Sequence, residues 1–387
     1  MKKVVLTAMA FAALLSMPVF TSCSDDEAPN GGSNGEGGQV VTEELSGTVE
    51  GVMKLDATKE YQLTGTLTVP AGATLEIPAG TVIRAQKGFD KYVIVAQGGK
   101  IEAKGTATKP IVFTVDDESQ AAAGYWGGLI LNGKAPLSGP AGQVTVASAE
   151  VDNNQKYGGD KADDNSGTLQ YVKLLYTGAR SSAEIEHNGL TLNGVGNGTT
   201  IDHIYVAEGA DDAIEFFGGT VNVDNLLAVN CDDDMFDFTQ GYSGKLTNCY
   251  GRWEKSFTST EEDPRGVEAD GNLDGKGPEH TPQSNFLIEN MTIENLAENA
   301  EMQDAIKIRR GATATVKNAL VKGNGKVTDL IDFTDKKGAG QAGDAFSVTN
   351  QLAHGVTDKE VNGSTEVTVT NGNTGCTADF TWTGYQL

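Results

Sequence analysis

Carboxylates crowd the segment NCDDDMFDFTQG at residues 230–241, where Asp232, Asp233 and Asp234 are followed by Asp237. Like charges this close repel one another, so a cation, a shared proton or a hydrogen-bonded turn must compensate for them. Such a group can bind a divalent cation, act as a general acid and base, or accept hydrogen bonds from backbone N–H groups at a turn. The elements that position the carboxylates decide among these three.

An internal repeat places this segment in one of five similar units, which begin at residues 201, 223, 246, 288 and 316. Each unit opens with an apolar residue, a variable residue and Asn or His, continues as an apolar strand and ends in a second short strand. The longest interval holds the polar insertion NLDGKGPEHTPQS, which predicts a loop on one edge. Repeats of this length without crossover helices predict an all-β parallel β-helix, whose rungs stack at about 4.8 Å.

Stacking places equivalent residues of successive units above one another. At the start of each unit this predicts a polar structural ladder of His203, Asn225, Asn248, Asn290 and Asn318. In the second strand the apolar positions should point into the coil and the intervening positions outward. The outward column is Glu215, Asp237, Glu268, Lys307 and Asp332, and Asp270 and Arg309 follow two residues later on the same face.

The outward column is the candidate site. Glu215, Asp237, Glu268 and Asp270 could together hold Ca²⁺, which takes six to eight oxygen ligands in loose geometry. A solvated acidic face, partly neutralised by Lys307 and Arg309, explains the same residues without a ligand.

For catalysis, Asp237 and Glu268 could supply the two carboxylates with different pKa values that a glycosidase needs. Lys307 and Arg309 are the candidates for the base of a Ca²⁺-dependent lyase. A separate column at the start of the second strand has mainly a structural role in this interpretation. Its members are Asp212, Asp234, Arg265, Asp304 and Asp329.

The N-terminus predicts a lipoprotein. Residues 1–22 combine a basic start, an apolar run and small residues, which is typical of a secretory signal peptide. The ending TSC resembles a lipobox, with Cys23 as the lipidated residue that anchors the protein to outer-membrane lipid. Residues 23–41 read as a Gly-rich tether, residues 42–350 as the β-helix and residues 351–387 as a final rung or cap.

Composition excludes one class of partner. The formal net charge of −24 argues against nucleic acid, whose phosphates require basic side chains. Cys231, Cys249 and Cys376 form an odd set, so a disulfide between Cys231 and Cys249 and burial as small apolar residues both remain open.

Three segments carry a resemblance to a known family: GGKIEAKGTATKPIVFT, GYWGGLILNGKAP and the pair DDAIEFFGG and DDDMFDFTQGYSGK. They are similar to segments of bacterial surface lipoproteins that are expected to form right-handed parallel β-helices. SDDE after Cys23 resembles the acidic export signal of Bacteroidetes lipoproteins, which implies an outer-membrane anchor facing the cell exterior. The function of that family is poorly defined, so the resemblance supports the fold more than any activity.

The sequence favours a surface-exposed binding or adhesion protein for a glycan or a surface partner. The alternative is a β-helix enzyme, either a Ca²⁺-dependent polysaccharide lyase or a glycoside hydrolase. A structural surface protein, or an accessory to an outer-membrane transporter, is a further alternative. Trp126, Trp253, Tyr125 and Tyr250 could supply sugar-stacking platforms if they are exposed.

Overall fold

A computed structural model describes residues 42–182, 185–363 and 367–387. The predicted signal peptide, the lipidation site Cys23 and the tether lie outside these residues. No helix in the described part of the chain is long and apolar enough to cross a bilayer.

Short strands account for nearly all the regular structure. Those of the first half are β1 Thr42–Thr48, β2 Val52–Lys54, β3 Glu60–Val69, β4 Thr74–Pro78, β5 Val82–Ala85, β6 Val93–Val95, β7 Lys100–Lys104, β8 Ile111–Val115, β9 Leu129–Asn132, β10 Ala147–Ser148, β11 Lys156–Tyr157, β12 Gly167–Leu175 and β13 Leu190–Asn193. Those of the second half are β14 Thr200–Gly209, β15 Ile214–Phe217, β16 Asn222–Cys231, β17 Phe236–Thr239, β18 Lys245–Trp253, β19 Val267–Asp270, β20 Asn285–Asn295, β21 Glu301–Arg309, β22 Thr313–Gly323, β23 Lys326–Asp332, β24 Gln341–Leu352 and β25 Thr368–Thr370. The residues that the structure describes also form three 3₁₀ turns: Glu118–Gln120, Leu273–Gly275 and Thr381–Thr383.

Parallel pairing between successive turns of chain builds a right-handed parallel β-helix, which confirms the predicted fold class. The long ladder joins β12, β14, β16, β18, β20, β22, β24 and β25. The short ladder joins β6, β9, β13, β15, β17, β19, β21 and β23. Only the small pair β10–β11 is antiparallel among the named strands.

The coil interior is a continuous apolar core. In the short ladder Phe216 lies beside Phe238 in the next rung, with ring centroids 4.9 Å apart and nearly parallel planes. Phe286 continues the stack at 4.3 Å from Phe238. Inward side chains at equivalent positions of successive rungs, such as Phe216 and Phe238, lie in register, so the repeat specifies the composition of the core.

The long strands bend at one repeated position. His203, Asn225, Asn248, Asn290 and Asn318 all have φ between 53° and 57°, the left-handed region that Asn tolerates better than most residues. Asn318 Nδ2 donates to Asn290 Oδ1 at 2.8 Å, and Asn290 Nδ2 donates to Asn248 Oδ1 at 3.1 Å. Asn225 does not donate to a neighbouring Asn of this ladder; its Nδ2 donates instead to Asp202 Oδ1 at 2.7 Å. His203 stacks on Tyr171, with ring centroids 4.2 Å apart.

The C-terminal strap, defined as residues 372–387, runs back over the outer face of the long ladder. Phe380 and Trp382 pack against Tyr205, Leu227 and Tyr250, which leaves Leu227 fully buried. Lys173 Nζ donates to the carbonyl of Thr383 at 2.6 Å. The three cysteines of the described chain are free thiols, so the structure contains no disulfide between Cys231 and Cys249.

Candidate functional site

The pairing of the short strands stacks the residues of the predicted carboxylate column above one another, as the repeat alignment predicts. Glu215 pairs with Asp237, Asp237 with Glu268, Glu268 with Lys307, and Lys307 with Asp332 across successive rungs. Period-two alternation in the short strands sends these side chains to the outer face, while Phe216, Phe238 and Ala269 point into the core.

The outer face is covered rather than solvated, which differs from the expectation of an exposed acidic surface. Glu268, Asp270, Lys307 and Asp332 are each less than a tenth exposed. Three connections rise around them and contribute Glu150, Asp263 and Asp274 to the walls. The result is a polar cleft of about 480 Å³ over β13, β15, β17 and β19. It is continuous with a smaller acidic recess of about 290 Å³, since the two share Glu215, Asp237 and Arg309.

One half of the cleft is neutralised by arginine. Glu268 forms ion pairs with Arg265 and Arg309. Asp270 accepts from Arg309 Nε at 2.8 Å and from Arg310 Nη1 at 2.5 Å. Glu268 and Asp270 are therefore held by three guanidinium groups, and their carboxylates are not available as a pair to bind a cation.

Lys307 lies away from the cleft, although it belongs to the same column. Its ammonium forms an ion pair with Asp332 and lies 3.9 Å from Asp304 Oδ2. Lys307 does not line the cleft or the acidic recess. Of the four proposed catalytic residues, the structure brings together Asp237, Glu268 and Arg309, and it separates Lys307 from them.

The other half of the cleft contains carboxylates without a basic partner. We call this set the unpaired carboxylate group, because none of its members forms an ion pair with the described residues. Its members are Asp211, Asp212, Glu215, Asp233, Asp234 and Asp237. Two overlapping triads within it bring carboxylate oxygens within 4.8 Å of one another, namely Asp211, Asp212 and Asp233, and Asp212, Glu215 and Asp237.

Burial changes the protonation of this group. Desolvation, followed by the charge of Glu261, raises the pKa of Asp233 to about 7. Desolvation also raises the pKa of Asp237 to about 6, although a hydrogen bond with Glu215 and the charge of Arg309 act in the opposite direction. Burial and the charge of Asp237 together raise the pKa of Glu215 well above its ordinary value. Glu215 and Asp237 are joined by a hydrogen bond and therefore titrate as a coupled pair.

Two buried oxygens in the group have no hydrogen-bond partner. They are Asp234 Oδ1 and Asp237 Oδ1, and the Asp234 side chain is almost fully buried in the wall of the recess. A buried acceptor without a hydrogen-bond partner raises the free energy of the folded protein. A ligand that donates a hydrogen bond or carries positive charge would provide the missing partner. The Asp212, Glu215 and Asp237 triad is therefore the part of the cleft that could hold a divalent cation, in place of the predicted set that included Glu268 and Asp270.

The three consecutive aspartates have three separate roles. Asp232 anchors the following loop by accepting from the backbone N–H of Thr260 at 2.8 Å and from its hydroxyl at 2.6 Å. Asp233 faces the acidic recess. Asp234 donates its backbone N–H to Asp212 Oδ1 at 2.9 Å, a contact between rungs that fits the structural column.

Several cleft residues are not predicted by the repeat alignment. Asn188, which donates to Glu215 Oε2 at 2.6 Å, precedes the first aligned unit. Glu150 belongs to the long connection before β12, where no repeat is visible. The duplicated DD pairs at 211–212 and 233–234, which lie one repeat apart, are the sequence feature that could have identified Asp211 and Asp233.

The fold and the site together define a parallel β-helix with an acidic cleft on one outer face. The chain belongs to the family of pectate-lyase-like β-helix domains, whose profile matches residues 47–384. A comparison with curated protein sequences finds no match.

Solved structures with a similar course of the chain are carbohydrate-active enzymes. A GH87 α-1,3-glucanase catalytic domain in complex with tetrasaccharides is 14% identical over 82% of this chain, with a TM-score of 0.33. This chain covers 65% of the glucanase domain, which is less than two thirds of its length. An alginate lyase from Paenibacillus sp. str. FPU-7 is 12% identical over 75% of this chain and 93% of its own, with a TM-score of 0.26. At these identities the similarity extends to the fold alone.

Proposed function

We propose that the protein is a cell-surface lipoprotein, anchored through acyl chains on Cys23, that binds a glycan in the acidic cleft. The cleft itself is the observation that supports this role. Its volume of about 480 Å³ lies in the range of ligand sites, and polar side chains from four successive rungs line it. A groove that crosses stacked rungs offers repeated hydrogen-bonding groups to a repeating ligand.

Aromatic platforms play no part in this proposal. Trp126, Trp253, Tyr125 and Tyr250 are all buried, so none of them presents a ring to solvent. Sugar recognition in the cleft would therefore rest on hydrogen bonds and charge, which confer specificity through the exact placement of donors and acceptors.

A glycan array and calorimetry test the binding proposal. The full chain carrying Cys23→Ser, which cannot be lipidated, should bind at least one class of glycan. Asp237→Asn should weaken that binding about tenfold or more, because a charge-assisted hydrogen bond is lost. Glu60→Gln is the matched control, since it removes one carboxylate from an exposed position of β3. Equal affinities for Asp237→Asn and the unsubstituted chain would contradict a ligand in the cleft.

Hydrolysis of the bound glycan is the second candidate function, and the Glu215–Asp237 pair favours it. One oxygen of each lies within 4.8 Å of the other, which is shorter than the roughly 6.5–9.5 Å separation of inverting glycosidases. In such a reaction ionised Asp237 attacks the anomeric carbon while protonated Glu215 gives its proton to the leaving oxygen. Water then releases the sugar from Asp237, and Glu215 recovers a proton from that water.

Product analysis separates hydrolysis from binding alone. Hydrolysis should release reducing ends without unsaturated sugars, and Glu215→Gln should lower its rate by about 10²- to 10⁴-fold. Unsaturated products that disappear with EDTA would instead indicate a Ca²⁺-dependent lyase, with the cation held by Asp212, Glu215 and Asp237. The structure offers less support for that lyase, because Arg309 is held by Glu268 and Asp270 and Lys307 lies outside the cleft.

A further inference from the structure

The charge in the cleft is strongly one-sided. Its basic side chains are Arg265, Lys276, Arg309 and Arg310, and each of them already forms an ion pair with a carboxylate of the cleft or its walls. The unpaired carboxylate group has no such partner. Burial and mutual repulsion raise the pKa values of Asp211, Asp212 and Asp233, so a cationic ligand in the recess would stabilise their ionised forms in a poorly solvated space, where electrostatic interactions are strong.

The triad of Asp211, Asp212 and Asp233 has the dimensions of an ammonium site. A primary ammonium has three N–H donors in tetrahedral directions. Acceptors placed at normal hydrogen-bond distance from its nitrogen lie about 4.6 Å from one another. One carboxylate oxygen from each residue of this triad lies within 4.8 Å of the other two, so the three are close enough to surround a single ammonium nitrogen.

A second observation points to a ligand at the same place. Asp234 lines the recess with a side chain that is only 3% exposed, and its Oδ1 has no hydrogen-bond partner. A cationic ligand in the recess would compensate the charge of this residue and of its neighbours. A carboxylate on the ligand would add a further like charge to a group that already repels itself.

We propose that the recess binds a protonated primary amine and that the ligand of the cleft is an amino-sugar glycan rather than a polyuronate. This inference rests on the proposed glycan-binding function and specifies the chemical class of its ligand. The ammonium lies between Asp211, Asp212 and Asp233, while the neighbouring sugar units occupy the larger cleft beside Arg309.

Three oligosaccharides of equal length test the inference by calorimetry in the presence of EDTA at near-neutral pH, where Asp233, with a pKa of about 7, is partly ionised. They are the hexamers of glucosamine, of N-acetylglucosamine and of galacturonate. The glucosamine hexamer should bind at least about tenfold more tightly than its acetylated form, because acetylation removes the charge and two of the donors. The galacturonate hexamer should bind most weakly. In a parallel titration without EDTA, added Ca²⁺ should weaken glucosamine binding by competing for the carboxylates.

Asp233→Asn and Asp212→Asn should each bring the affinities of the glucosamine hexamer and its acetylated form to within about threefold. Glu60→Gln should leave the preference unchanged, and thermal melting of each variant verifies that it is folded. Equal binding of the two glucosamine forms, or galacturonate binding that Ca²⁺ strengthens, would overturn the inference while leaving glycan binding intact. If none of the hexamers binds, the inference is wrong, and the glycan array then decides whether the proposed glycan binding stands.

Discussion

At the scale of single residues, the same column position has different chemistry in successive rungs. Glu215 and Asp237 share a hydrogen bond and lack a basic partner, whereas Glu268 in the next rung contacts two arginines. The difference arises because Arg265 and Arg309 extend toward Glu268. Carboxylates without such partners keep protons more tightly, which makes the stability of the protein depend on pH.

Asp237 should contribute to this pH dependence. Burial raises the pKa of Asp237 from 3.8 to about 6, so the folded protein binds this proton more tightly than the unfolded chain. The contribution of Asp237 to the free energy of unfolding should therefore be largest at acidic pH and fall by about 3 kcal/mol as pH rises from about 4 to about 6. Urea unfolding in EDTA at a series of pH values measures it.

Asp237→Asn should reduce this fall, because the amide cannot ionise. Glu60→Gln is the control and should retain the pH profile of the unsubstituted chain. A profile that is the same for Asp237→Asn and the control would show that Asp237 does not hold its proton in the folded state.

At the scale of elements, the bend in each long strand depends on side-chain amides. Asn290 accepts from Asn318 and donates to Asn248, so it links three rungs. Its φ of 57° also places a side chain in the left-handed region, where Asn is tolerated and most other residues are strained. The bend thus combines a backbone requirement with a hydrogen-bond requirement.

Two substitutions at Asn290 separate these requirements. Asn290→Ala should lower the free energy of unfolding by about 3 kcal/mol, because it loses the amide bonds and keeps the unfavourable φ. Asn290→Gly should cost about 1–2 kcal/mol less than alanine, since glycine adopts this φ freely. Chemical denaturation measures both variants. If glycine and alanine destabilise the protein equally, backbone strain does not contribute.

At the scale of the whole molecule, the C-terminal strap and the cleft occupy different surfaces of the coil. The strap covers apolar side chains of β14, β16 and β18, and none of its residues lines the cleft. Parallel solenoids need such coverage because their apolar side chains would otherwise form an exposed patch. Stability and ligand binding should therefore respond separately to changes in the strap.

Trp382→Ala tests this separation. Removing an indole that is 8% exposed and packs on Tyr171 should destabilise the protein by about 3–5 kcal/mol. Affinity for the cleft ligand should remain within about twofold, since the cleft is built by other rungs and loops. Thr381→Ala, in the same turn but exposed, is the control for both measurements. Loss of ligand binding by folded Trp382→Ala would show that the two surfaces are coupled.

The sequence alone determined the fold and the register of the site. Alternation of apolar and polar residues and the repeat spacing were enough to align Glu215, Asp237, Glu268 and Lys307, and the structure pairs them in that order. These features are local, because each rung repeats the same short pattern and parallel stacking then aligns equivalent positions. The sequence also predicts that the polar insertion before β20 is a loop, and the structure, which describes the whole insertion, contains no helix or strand there beyond a short 3₁₀ turn.

Only the tertiary structure decided which carboxylates could bind a ligand. The insertion folds over the outer face and places Asp274 in the cleft wall, and the long connection before β12 supplies Glu150. Arg310 comes from a later rung to neutralise Asp270, while the DD pairs at 211–212 and 233–234 remain unpaired. Burial and ion pairing depend on residues distant in sequence, and repeat spacing carries no information about such contacts.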